Sequence, residues 1–262
     1  MPTLTVPWPS GEAPVCKSGH CSSILQGTST KKMFEKRTSF FIENNMDNYE
    51  NQIESIIDNG YNFSIRQYVK DGFKLFKSCS DVIVPFSFVV LIAEIHCAFA
   101  PGIFFIIAIY IYPCMIASFY LTANLVTQGV EPSLNDCLYS FKIFINIMII
   151  NIVVNLSTAA GLLLFIIPGI FLMTSYVFAS MFVIFFDTNY LTALKLSRKL
   201  VSRKFWKMLA LVMISIMIGC SGILFWGIGI AFTLPIMHCI LYTAFENIVR
   251  KQIIEVDNDY QK

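Results

Sequence analysis

Apolar residues crowd into three stretches, Val82 to Val130, Ile143 to Phe186 and Met208 to Phe245, whose only formal charge is Glu94. The stretches hold 49, 44 and 38 residues. A crossing helix needs about 20 mostly apolar residues to span roughly 30 Å of hydrocarbon, so each stretch has room for two crossings and a turn. Helix breakers interrupt each one near its middle, at Pro101-Gly102, Pro168-Gly169 and Gly227-Ile228-Gly229. The pattern predicts an all-α polytopic membrane protein of six transmembrane helices arranged as three hairpins.

Before each hairpin lies a segment of amphipathic period opened by a helix-capping residue. Ser64 is followed by Ile65, Tyr68, Val69 and Phe76, Ser133 by Leu134, Cys137, Leu138 and Ile145, and Asn189 by Tyr190, Ala193, Leu194 and Val201. The apolar offsets from the cap coincide and fall on one helical face, and Ser64 with Gln67 fits a capping box. The prediction is an internal repeat of three units, each an amphipathic helix in the membrane interface followed by one crossing out and one back.

Charge fixes an expected orientation. Lys70, Lys74 and Lys77 precede the first apolar stretch, Lys195, Arg198, Lys199, Arg203, Lys204 and Lys207 fill the connection before the third, and Arg250 and Lys251 follow it, whereas the three turns carry no charge. Basic flanks are retained on the cytoplasmic side, which places both termini there and the turns outside, in a cell (inner or plasma) membrane. The net charge of +2 itself adds little, and 56% hydrophobic residues with 24 phenylalanines exceed what a soluble domain of 262 residues requires.

Residues 1–45 lack periodicity and contain no signal-peptide pattern, so they are expected as a disordered cytoplasmic leader, or as an upstream extension if translation starts at Met46. Residues 46–80 are expected as a cytoplasmic helical segment that includes the first amphipathic helix, 81–247 as the six-span membrane domain and 248–262 as a cytoplasmic tail. Six of the eight cysteines lie in or beside spans, where thiols act as small apolar residues. Cys16, His20 and Cys21 match no strong zinc spacing, so neither metal nor cofactor is expected.

From Leu162 to Leu209 the chain carries the run LLLFIIPGIFL, a span ending at Asp187, and YLTALKLSRKLVSRKFWKML. With Pro168-Gly169, Ala193-Leu194, Ser197, Leu200 and Phe205-Trp206, this resembles the six-helix membrane domain found with some glycerophosphoryl diester phosphodiesterases and the related YciC-like inner-membrane proteins. The resemblance covers roughly Gly60 to Lys251 and implies the same membrane fold. It implies no phosphodiesterase activity, because about 17 residues follow the last span.

Two groups of side chains are candidate functional residues. Glu94, His96 and His238 are ionisable groups inside apolar stretches, where such groups are costly, and Glu94 and His238 are expected to pair across the first and sixth spans at comparable depth in the outer half of the bilayer, as a proton or cation site. The bland reading keeps Glu94 protonated and hydrogen-bonded within the bundle. Lys195, Arg198, Lys199 and Arg203 form the polar face of the third amphipathic helix and are expected to meet anionic lipid headgroups, or simply to obey the orientation rule. Asn146, Asn151 and Asn155 are expected to bind neighbouring spans. The sequence holds no HExxH, GxxxxGK[ST] or GxSxG motif, and its basic residues hug the membrane boundary, which argues against a soluble enzyme and against nucleic acid as a partner. The expected function is a non-enzymatic inner-membrane protein that handles lipid or organises other envelope proteins. A small transporter or channel built on the Glu/His site is the alternative, with an intramembrane enzyme third.

Overall fold

The computed structural model describes residues 53–58, 60–99, 103–141, 144–225 and 227–250, all within one compact unit, Asn45–Lys262. The expected leader, its Cys16, His20 and Cys21, and the Pro101-Gly102 turn lie outside the described residues. The described chain is helical, without strands: α1 (53–58), α2 (Ile65–Phe99), α3 (Ile103–Thr127), α4 (Leu134–Cys137), α5 (Phe144–Leu164), α6 (Ile166–Ser175), α7 (Ala179–Phe186), α8 (Tyr190–Ser202), α9 (Phe205–Ser221) and α10 (Ile230–Phe245). Five stretches, Ile65–Ile92, Ile145–Leu164, Ile166–Phe186, Phe205–Leu224 and Ile230–Arg250, are long and apolar enough to cross a membrane. The 25 residues of α3 also contain no charged side chain. Large apolar side chains such as Val89, Ile145, Leu156, Leu163, Ile167 and Leu224 face outward, a surface suited to lipid rather than to water.

Three expectations need correction. The segment after Ser64 is not a separate interfacial helix: α2 runs 35 residues without interruption, about 52 Å at 1.5 Å per residue, so the amphipathic part and the apolar part form one rod longer than a bilayer core. Gly72 and Pro85 sit inside it and neither ends it. The segment after Ser133 is only the short α4 and one tighter turn, Leu138–Phe141. Ser118 of α3 holds this turn, its hydroxyl meeting the Cys137 carbonyl at 2.5 Å and Ser140 Oγ at 2.6 Å. Only α8, 13 residues long, is an amphipathic helix standing by itself, so the three units are not structural copies.

The second turn also differs from expectation. The chain reverses at Phe165, the one extended residue between α5 and α6, while Pro168-Gly169 lie inside the first turn of α6. Proline is tolerated there because a first-turn N–H has no partner to lose. Gly169 serves close packing instead: a Cβ on it would fall 2.8 Å from Leu162 Cα, and one on Gly161 would fall 3.1 Å from Gly169 Cα. The third turn is where the sequence places it, with Gly227 at φ 79°, a conformation open to glycine and strained for other residues.

α10 is the hub of the packing. It lies against α2, α9 and α3, and every residue from His238 to Phe245 is buried. Gly72 of α2 admits Ile240 so closely that a Cβ would fall 2.7 Å from Ile240 Cα, and Thr243 donates to the Tyr68 carbonyl at 3.2 Å. On another side Phe178, Phe182 and Phe185 of α6–α7 surround Phe245, with ring centroids 5.1 to 6.1 Å away. α7 is set off from α6 by a break after Ser175, whose carbonyl accepts the Ser197 hydroxyl of α8 at 2.7 Å. That bond satisfies a carbonyl the broken helix leaves open and fixes α8 beneath the break.

Candidate functional site

α8 separates cleanly into two faces. Ala193, Leu196, Ser197, Leu200 and Val201 are buried, and Lys195, Arg198, Lys199, Ser202 and Arg203 are exposed. The buried face is covered in part by residues 53–58 and 60–61, where Ile53, Ile56, Ile57 and Tyr61 are almost inaccessible and the Tyr61 hydroxyl donates to the Leu200 carbonyl at 2.9 Å. Burial pushes the Tyr61 phenol well above its ordinary value, with the neighbouring Tyr68 adding to the shift. Lys204 donates to the Tyr61 carbonyl and lies 5.1 Å from the centre of its ring.

The four basic residues predicted to meet lipid therefore divide. Lys199 pairs with Glu54, and Arg203 with Asp58 at 2.9 Å, one turn apart on each element. The hydrogen bond to Glu54, then its charge, raises the Lys199 pKa. Lys195 and Arg198 are exposed and make no ion pair among the described residues. Solvent screens exposed pairs of this kind, so Lys199 and Arg203 are neutralised without being locked. Trp206, at the start of α9 and 79% exposed, completes an aromatic and basic corner.

Of the second candidate group, only the His238 side chain is described. His238 is buried on α10, its Nδ1 3.0 Å from the Tyr120 hydroxyl of α3, with the Phe119 ring 5.7 Å away. Its Nε2 is buried without a hydrogen-bond partner among the described residues. Glu94 and His96 belong to α2, and their side chains fall outside the description. The antiparallel register of α2 and α10 bears on their pairing all the same. Phe88 meets Phe232 at 5.4 Å, and from that contact α2 carries Glu94 in one direction while α10 carries His238 in the other. Six residues each way at 1.5 Å per residue separate the two backbones by about 18 Å along the axes.

One turn beyond His238, a polar cluster appears that sequence reasoning missed. Tyr242 donates to Glu246 Oε2 at 3.0 Å and to Asn124 Oδ1 at 3.2 Å, and it lies 3.1 Å from Thr127 Oγ1. Arg250 donates to Asn124, to Tyr242 at 3.2 Å and to Glu246 at 3.0 Å, while its guanidinium lies 5.7 Å from the Phe185 ring centre. Contacts advance from Tyr120–His238 to Asn124–Tyr242, four residues on each helix, so α3 and α10 run parallel and share one polar seam. Glu246 and Arg250 sit in a wider helical turn, Glu246–Arg250, that continues α10. The available signal was Glu246 and Arg250 at i, i+4 beyond an apolar run, which the orientation rule alone explained as a flank.

The asparagines of α5 do not hold neighbouring spans. Asn151 donates to the Ile147 carbonyl of its own helix at 2.9 Å, and Asn146 and Asn155 are exposed. Pro113 and Pro235 are buried inside α3 and α10. No set of three or more metal-binding side chains occurs among the described residues. Compared with known protein families, curated proteins and solved structures, the chain matches none.

Proposed function

We propose that this chain is a non-enzymatic, six-span inner-membrane protein that binds and organises lipid at the cytoplasmic face, its three hairpins formed by α2–α3, α5 with α6–α7, and α9–α10. The resemblance around Leu162 to Leu209 points the same way. The observation that carries the reading is α8: an amphipathic helix joined to the bundle by one face, with Lys195 and Arg198 on the other and Trp206 beside it, the composition of an interfacial anchor. Both termini and α8 then lie on the cytoplasmic side, where anionic lipid attracts basic side chains at about 1 kcal/mol per residue near the surface.

Reconstitution tests it. Purified protein in vesicles containing phosphatidylglycerol should retain that lipid through mild delipidation, and Lys195→Gln with Arg198→Gln should lower the retained amount several-fold. Unchanged retention would remove the lipid-binding reading, and an external location of α8 by impermeant labelling would remove the orientation.

A second reading, a small transporter, is favoured by His238 alone, a buried imidazole with an unpaired nitrogen beside the α3–α10 polar seam. Proton flux in the same vesicles that is lost in His238→Phe would support it; flux indistinguishable from empty vesicles would eliminate it.

A further inference from the structure

The α5–α6 and α9–α10 turns are apolar on their outer surface. Five consecutive large side chains, Leu163 to Ile167, are 71% to 88% exposed at the first, and Ile223, Leu224 and Ile228 are 59% to 83% exposed at the second. No charged, hydroxyl or amide side chain occurs from 159 to 173 or from 222 to 232. A turn that emerges into water is ordinarily polar, and an apolar patch of this kind is costly to hydrate.

The backbone of each turn is bonded inward. Phe165 N–H donates to the Gly161 carbonyl at 3.0 Å, its own carbonyl accepts from Gly169 at 3.3 Å, and Pro168 brings no N–H. At the other turn the N–H groups of Gly227, Ile230, Ala231, Phe232 and Thr233 donate to nearby carbonyls at 3.0 to 3.3 Å, and the Thr233 hydroxyl satisfies the Gly219 carbonyl at 2.7 Å. In hydrocarbon, where no water is at hand, backbone groups need such internal partners.

Helix length sets the depth. The exposed Lys207 belongs at the cytoplasmic headgroups. From it to Leu224 the chain rises about 27 Å, and the returning arm from Ile230 to Glu246 covers about 24 Å. Hydrocarbon alone is roughly 30 Å thick and the whole bilayer about 40–45 Å, so this tip stops short of the outer headgroups, and tilt shortens the reach further. The arms of the other hairpin, Ile145–Leu164 and Ile166–Phe186, hold 20 and 21 residues, about 30 Å, which upright only reaches the edge of the hydrocarbon.

We infer that both turns end inside the outer leaflet, covered by the acyl tails of its phospholipids, and that neither presents a surface to the outer water. Neither tip offers a charge, hydroxyl or amide on which a protein partner could register, and at that depth the surrounding medium is already acyl chain. Elements shorter than the bilayer thin it locally, so lipid is displaced above the tips as well as held below. The inference rests on the membrane reading proposed for the chain and is independent of what α8 binds.

Spin labels test the depth. Leu164→Cys and Leu224→Cys, with Ile167→Cys and Ile228→Cys as second positions, are labelled in the full chain in phospholipid nanodiscs, whose two faces are both open to buffer. Wild type treated with the same label supplies the background from native thiols. Val89→Cys, on the lipid-facing side of α2, and Lys195→Cys, on the polar face of α8, are the references. Collisions with oxygen, which concentrates in hydrocarbon, relative to collisions with a water-soluble nickel chelate should match Val89→Cys at the tips and exceed Lys195→Cys several-fold. A Lys195-like ratio at the tips overturns the inference, and so does protection from both reagents, which would mean a protein cover. If Val89→Cys is itself open to nickel, the membrane reading fails with it; tips open to nickel beside a shielded Val89→Cys sink the inference alone.

Discussion

Gly161 and Gly169 face each other across the α5–α6 reversal, so close that a methyl group on Gly161 would fall 3.1 Å from the Gly169 Cα. With only Phe165 outside the two helices, α5 and α6 touch almost from the turn itself.

Gly169→Ala should therefore force the hairpin apart. Its Cβ would sit 2.4 Å from the Leu162 side chain and 2.8 Å from Leu162 Cα, and overpacking that moves backbone costs about 1–3 kcal/mol. Gly129→Ala meets nothing within 4 Å, though its φ of 75° adds backbone strain of about 1 kcal/mol. Thermal unfolding in detergent should rank Gly169→Ala below Gly129→Ala; the reverse order would mean that the hairpin yields freely.

Arg250 is held between Glu246, Tyr242 and Asn124, and truncating one member of a largely buried ion pair leaves the other uncompensated. Arg250→Met should destabilise by about 3–5 kcal/mol, and Glu246→Gln combined with Arg250→Met by clearly less than Arg250→Met alone. Additive losses across this double-mutant cycle would show that the two charges do not act as a pair.

High pH should loosen Tyr61 and α1 from α8. The Tyr61 and Lys199 values are both raised, so their contribution to docking is full below the ordinary values near 10 and is lost as pH climbs through the higher folded values. Absorbance titration should find one fewer late-ionising tyrosine in Tyr61→Phe than in wild type. A difference spectrum that titrates at the ordinary value would contradict the buried environment.

Glu54→Gln with Asp58→Asn should strengthen binding to phosphatidylglycerol vesicles several-fold, since it uncovers Lys199 and Arg203 without touching them. The gain should shrink in high salt, as screening requires. Weaker binding in the double variant would mean that the acidic residues support the headgroup surface rather than compete with it.

Much of the helical architecture was legible because lipid-compatible helices need long charge-free runs, which composition cannot hide. The Gly227 turn was legible for a similar reason, since little but glycine adopts its backbone angles. The Pro168-Gly169 signal was real and its meaning was not, because a proline is as acceptable in the first turn of a helix as in a loop. Glu94 and His238 were grouped by distance from their turns, a measure that ignores how far α2 and α10 slide past each other. Their relative depth is fixed by contacts such as Phe88 with Phe232 and Gly72 with Ile240.

By itself the sequence determined an all-helical chain with apolar stretches long enough for a membrane, and a basic amphipathic helix between Asn189 and Arg203, because hydropathy and period act locally. Tertiary structure alone decided that α2 is one continuous rod, that Glu54 and Asp58 neutralise half of that basic face, and that Tyr120, Asn124, His238, Tyr242 and Arg250 form one seam. The last two join residues more than a hundred positions apart, and a periodic pattern in one helix carries no information about which other helix its polar residues will meet.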